Sequence, residues 1–155
     1  MSENESLAKL LPQADPMILL SGYEPPSSPD TVDAWVDITP ACAFYVHEKN
    51  GVPGCVALEY MAQSMALCVG FLRRSRGLEP KLGFVLGSRK LEIKIPFFQN
   101  GARYRIHSHC TYQDESFGSF DCTVTDADGT AVATAQMTAF QPEGELTPET
   151  LEAFT

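Results

Sequence analysis

The sequence predicts an α+β domain in which one apolar helix is wrapped by a curved antiparallel sheet. Three observations carry this. Residues 53–74 read PGCVALEYMAQSMALCVGFLRR, a nearly unbroken apolar stretch with helix signals at both ends. Strand-like alternation precedes it at 31–39 and returns in four runs between 82 and 140. No second helical stretch of comparable length is present. A lone apolar helix among many strands buries itself only if the strands curl around it.

The chain of 155 residues has the size of a single domain, expected to span 1–155 with loosely held ends at 1–6 and 142–155. The opening MSENESLAKLL is polar and acidic and does not read as a secretory signal. Five cysteines form an odd set without CxxC spacing, which predicts reduced thiols in a cytoplasmic protein, not a disulfide frame or zinc site. A net charge of −9 argues against nucleic acid as a partner. The cations are clustered, however: Arg73, Arg74, Arg76, Lys81, Arg89, Lys90, Lys94, Arg103 and Arg105 make nine of the eleven. Such a face either steers an acidic partner or forms a solvated rim of strand ends.

Residues 6–11 predict a short helix stopped by Pro12, followed by a turn and an apolar strand through Leu20. Residues 23–30 hold three prolines and two serines and predict a loop. In 31–39, Val32, Ala34, Val36 and Ile38 face one way, and Asp33, Trp35 and Asp37 the other. Residues 42–47 predict a second short extended piece, and 48–52 a polar turn containing Asn50-Gly51. Pro53 suits the start of a helix, Arg73, Arg74 and Arg76 suit its C-terminal dipole, and Gly77 offers a left-handed cap. The run approaches membrane-spanning length, but Glu59, Gln63 and Ser64 interrupt it, so a core helix is expected. Beyond it, 82–95 predicts a strand with Leu91, Ile93 and Ile95 inward. In 102–112, Tyr104, Ile106 and Cys110 share one face, and Arg103, Arg105, His107 and His109 the other. Residues 117–126 and 130–140 are joined by Ala127-Asp128-Gly129, a hairpin signal.

Two candidate sites stand out. Glu59 and Gln63 are four apart and share a helix face, and a carboxylate inside an apolar helix is costly unless paired, neutralised or used. His107 and His109 share a strand face, but no third ligand accompanies them, so no metal is expected.

Two pieces of sequence resemble the FabA/FabZ family of 3-hydroxyacyl-carrier-protein dehydratases. Leu-Leu-Pro followed by Pro-Met-Ile-Leu-Leu (10–20) resembles the opening of FabZ-type chains. Pro53-Gly54-Cys55, Glu59 and Met61-Ala62-Gln63 resemble the family's central helix. The segments 114–120 (DESFGSF) and 138–142 (TAFQP) resemble the ApeP-type branch associated with aryl polyene biosynthesis. The resemblance implies a hot-dog fold and a dimer whose active site lies between subunits, one giving a histidine and the other the helix carboxylate. It also implies an acyl carrier protein as partner and no cofactor. One departure concerns the histidine. His47 is followed by a loop about two residues shorter than in FabZ-type chains and without internal prolines; at the usual offset from Glu59 stands Tyr45.

For dehydration of a 3-hydroxyacyl thioester, His47 is the candidate base, since imidazole suits proton abstraction near neutral pH. The N–H groups of Gly54 and Cys55 would hold the enolate oxygen, and Gly54 would let the substrate approach the backbone. Glu59, its pKa raised by desolvation, would protonate the departing hydroxyl or position a water. Gln63 would orient Glu59, and Tyr45 would line the acyl tunnel. Arg73, Arg74, Arg76, Lys81, Arg89 and Lys90 would dock the carrier protein. Each has a plainer reading: His47 as a surface residue, Glu59 as a structural group held by Gln63, Cys55 as a small apolar filler. Two other functions remain open at this point: a non-catalytic subunit pairing with an active homologous dehydratase, and a hot-dog thioesterase.

Overall fold

The computed structural model describes residues 7, 10, 11, 17–78, 83–114 and 116–141. The strands are β1 (Gly22–Tyr23), β2 (Thr31–Asp37), β3 (Gly51–Pro53), β4 (Phe84–Ile93), β5 (Phe97–Gln99), β6 (Arg103–Gln113), β7 (Phe117–Thr125) and β8 (Ala131–Phe140); the long helix α1 is Ala57–Ser75. Six strands form one antiparallel sheet in the order β1-β2-β6-β7-β8-β4, and β3 pairs with β5 beside it. The helix lies in the hollow of the sheet, chiefly on β6 and β2. This is the hot-dog arrangement.

Alternation in the strands decides what faces the helix. Val32, Ala34 and Val36 of β2, Tyr104 and Ile106 of β6, and Phe120, Cys122 and Val124 of β7 are buried. They meet Tyr60, Met61, Met65, Leu67 and Cys68 of α1 in one core. The Phe98 ring is wholly buried and lies edge-on to Tyr60 at 5.2 Å and to Tyr104 at 4.8 Å. Each such pair adds about 1 kcal/mol beyond the area it buries. Two glycines let chains cross: a Cβ at Gly70 would stand 2.4 Å from the Leu10 carbonyl oxygen, and one at Gly54 would stand 2.2 Å from that of Ile95.

The C-terminal signals behave as the sequence predicts. Arg73 and Arg74 occupy the last turn of α1, and Gly77 follows at φ +71°. The N-terminus starts later than predicted. Pro53 closes β3, a 3-10 turn covers Gly54–Val56, and the α-helix begins at Ala57. The segment Gly54–Ser75 is long and apolar enough to cross a membrane by length and composition, and 50% of its most apolar window is buried within the fold.

Three local predictions are corrected. Residues 42–45 form no strand, being coiled by bonds from the Cys42 N–H to the Thr39 carbonyl and from the Tyr45 N–H to the Cys42 carbonyl; Val46 makes a single bridge to Gly51, and His47–Lys49 is a 3-10 turn closed by Asn50 in a left-handed conformation. Leu91 is 39% exposed, not inward: β4 is an edge strand exposed on both faces from Val85 to Glu92, with a register shift between Arg89 and Glu92 and Lys90 at φ +51°, while Ile93 and Ile95 are half-buried as predicted. Phe97–Gln99 is a strand that the sequence reading left unassigned. Of the predicted helix at 6–11, Leu7 and Leu10 are helical and the Leu11 N–H donates to the Leu7 carbonyl at 2.9 Å; residues 1–6 and 142–155 lie outside the described residues.

Candidate active site

A cavity of about 330 Å³ opens between α1 and the far ends of β4, β7 and β8. Its helix wall is Glu59, Ala62, Met65, Ala66 and Val69. Glu59, Ala62, Ala66 and Val69 recur at three- and four-residue steps, so they form one stripe along α1. Its opposite wall comes from the β6–β7 turn and the end of β8, with Phe117, Phe120 and Phe140 as the bulky members. Small residues on the helix and flat rings across from them leave an apolar slot with a carboxylate at one end.

Glu59 is half-buried, and its carboxylate is not loose. Gln63 is fully buried, and its Nε2 donates to Glu59 Oε1 at 3.1 Å and to the Met17 carbonyl at 2.6 Å. Gln63 Oε1 accepts from the Leu19 N–H at 2.9 Å. Both amide hydrogens and the amide oxygen are therefore engaged, so Gln63 ties the 17–20 segment to the helix. It also engages one of the two Glu59 oxygens, Oε1.

His47 is exposed, its ring edge-on to half-buried Tyr45 at 5.0 Å. Neither lines the cavity of its own chain. The expectation for Gly54 is corrected. Its N–H donates to the Pro96 carbonyl at 2.8 Å, and the space where its Cβ would stand is taken by Ile95. The glycine is there for the chain's own packing, and its amide is spent. Cys55 is exposed at the start of the helical segment, where the first N–H groups lack helical acceptors.

The basic residues are spread out. Arg73 is half-buried, Arg74 and Arg76 are exposed at the end of α1, and Arg89 and Lys90 are exposed on β4; Lys81 lies outside the described residues. His107 and His109 are engaged by acids instead of a metal: His107 Nδ1 lies 2.8 Å from Asp33 Oδ1, and His109 Nε2 lies 3.4 Å from Asp30 Oδ2. Among the described residues, no group of three or more histidine, cysteine or acidic side chains is placed to hold a metal.

Sequence chemistry alone did not single out Asp114, which also lines the cavity. Its Oδ1 accepts from the N–H groups of Phe117 at 2.7 Å and Ser116 at 2.8 Å, and its Oδ2 from the Tyr112 hydroxyl at 2.8 Å. These bonds, the Phe117 N–H foremost, hold its carboxyl below the usual range, and Asp114 in turn pushes the Tyr112 phenol up. The signal lay in the two segments resembling the ApeP-type branch: 114–120 and 138–142 supply much of the strand wall.

The family model described as ApeP-like, ApeP dehydratase, matches residues 5–152. Among solved structures, the dehydratase heterocomplex ApeI:P from Xenorhabdus doucetiae is similar at a TM-score of 0.84 and 28% identity, covering 96% of this chain and 95% of that one. A hypothetical thioesterase with coenzyme A from Streptococcus pneumoniae TIGR4 is similar at 0.60 and 17% identity, over 83% of this chain and 91% of that one. The E. coli PaaI protein from the phenylacetic acid degradation operon is similar at 0.57 and 13% identity, over 76% and 80%. These last two show the fold alone. No curated protein matches in sequence.

Proposed function

We propose, from the premise that the chain belongs to the ApeP-like dehydratase family, that it dehydrates 3-hydroxyacyl thioesters held on acyl carrier protein to trans-2-enoyl thioesters, as in aryl polyene or fatty-acid-like biosynthesis. The observation that carries this is Glu59, the one carboxylate in the helix wall of a largely apolar cavity, steadied by Gln63. His47 takes a proton from the carbon next to the thioester carbonyl. The electrons move onto the carbonyl oxygen, held by the Cys55 N–H, and return to form the double bond. The 3-hydroxyl leaves as water with a proton from Glu59. The acyl chain lies along Ala62, Ala66 and Val69.

The histidine comes from a neighbouring chain. The exposure of His47, away from its own cavity, supports this, as does β4: it is a sheet edge with Val85, Leu86 and Leu91 exposed at 47%, 57% and 39%. Long edge strands bearing apolar side chains invite pairing. Antiparallel pairing of two β4 edges would lay the Ile93 end of one beside the Phe84 end of the other. The loop bearing His47 sits at the first end, since Gly51 pairs with Gln99 and Gly54 bonds to Pro96. The cavity opens at the second, beside Gly83 and Val85. The exposed cations Arg74, Arg76, Arg89 and Lys90 would dock the acidic carrier protein. A second reading, in which the neighbour is a related dehydratase subunit, is favoured by the heterocomplex nature of the ApeI:P relative.

The test supplies a 3-hydroxyacyl thioester on carrier protein to the purified chain, alone and with a second dehydratase. Enoyl product from the chain alone is expected, falling about a hundredfold in His47→Ala and in Glu59→Gln. Product only after the second subunit is added would favour the subunit reading. Release of free acid would overturn both in favour of a thioesterase.

A further inference from the structure

Phe44 is the one aromatic residue among those described with a positive φ: its backbone stands at φ +67°, in the left-handed region that bulky side chains avoid. The turn that puts it there is hydrogen-bonded on both sides, with the Cys42 N–H on the Thr39 carbonyl at 3.0 Å and the Tyr45 N–H on the Cys42 carbonyl at 3.2 Å. Its ring is 53% exposed, while that of Tyr45 next to it is half-buried against His47. A strained backbone that holds an aromatic ring out in water gains nothing within its own chain. Such arrangements persist where the side chain serves a site.

We infer that Phe44 caps the cavity of a second copy of this chain, packing over Val85 and Phe117. This rests on the two-chain reading above. Phe44 lies in the same short loop as His47, at the Ile93 end of β4, and antiparallel edge pairing carries that loop to the Phe84 end of the other copy. The rim there holds Val85, 47% exposed, and Phe117, 44% exposed and tilted against Phe140 at 5.1 Å. Each copy thus has an outward ring at one end of β4 and an apolar rim at the other, which is the complementarity that a two-fold pair requires. Within the pair, Phe44 shuts the acyl chain away from water and limits what the slot admits.

The test places a benzoyl-phenylalanine photo-crosslinker at position 44 in the full chain, irradiates the native assembly, and maps adducts by mass spectrometry on mixed light and heavy copies. Adducts joining a light to a heavy copy within 83–88 or 113–120 are expected. Adducts within one copy, or at another surface of an intact pair, would overturn the cap while leaving the two-chain reading standing. A chain that stays monomeric under irradiation conditions would overturn both. Should the bulky label impair folding, Phe44→Gly serves instead, since glycine accepts the same backbone without strain. It is expected to keep the fold, weaken self-association about tenfold or more, as truncating an interface aromatic does, and raise KM more than it lowers kcat. Unchanged association and unchanged KM would overturn the cap.

Discussion

The two ends of the six-stranded sheet are built on opposite plans. At the β1–β2 end the outer face is a ladder of cross-strand pairs. Arg103 holds Asp37 through two bonds of 2.6 and 2.9 Å and lies over the Trp35 ring at 5.0 Å. Arg105 meets Glu24 at 3.3 Å, and His107 meets Asp33. The last strand there has only two residues. At the other end, β4 runs for ten residues, shows three large apolar side chains to solvent, and carries a bulge. Among the described residues its one ion pair is Lys94 with Glu92 at 3.9 Å. The first edge is short and electrostatically satisfied within one chain. The second is long, bears exposed apolar side chains and lies beside the cavity, so it is the edge that the proposed pairing uses.

The contrast can be broken most forcefully at β4. Val85→Glu with Leu86→Glu is expected to dissociate the assembly in sedimentation and to cut enoyl formation about a hundredfold, the scale of losing one catalytic group. An assembly that survives both charges would remove the distinction between the edges. Gln63→Leu strips partners from Glu59, the Met17 carbonyl and the Leu19 N–H. It is expected to cost about 1–3 kcal/mol in urea denaturation, as orphaned buried polar groups do. At the other edge, Asp37→Asn is expected to change stability by less than about 1 kcal/mol, because both partners are about half exposed and screened, and to leave assembly intact.

Alkaline pH tests the shared core beneath both edges. Burial pushes the Cys68 thiol up to about 12 and that of Cys122 up to about 11, from an ordinary thiol value of 9.0. Both pKa values are raised on folding, so the stability is fully present below pH 9 and falls as the unfolded chain releases protons that the folded chain keeps. Chemical denaturation midpoints are expected to drop between about pH 9 and 12, and Cys68→Ala with Cys122→Ala to flatten that drop. The smallest effect is kinetic: exposed Cys55 should be alkylated before Cys68 and Cys122, whose burial both shields the sulfur and holds it protonated.

Much of this was legible in the sequence, for local reasons. The alternation in β2, β6 and β7 and the apolar face of α1 follow from side-chain periodicity, which a single chain displays in full. The Glu59–Gln63 bond follows from helical spacing. What the sequence hid depends on the path of other segments. The donor at Gly54 is spent because the chain returns through Pro96, and Leu91 is exposed because β4 ends up at the edge of the sheet. The turn at 42–45 looks extended by composition, yet bonds from Cys42 to Thr39 and from Tyr45 to Cys42 coil it. Asp114 reads as a turn acid until Phe117 and Phe140 are seen beside it. The role proposed for His47 is in the same category, since it calls on a second chain that no pattern within this one describes.

The central claim is that the acid and the base of one site come from two chains. Complementation measures it directly: inactive His47→Ala and inactive Glu59→Gln chains are mixed, dissociated and allowed to re-pair. Random re-pairing makes half the pairs mixed, each with one intact site, so activity should recover to about one quarter of wild type. Recovery no greater than the sum of the two mutants would contradict the account.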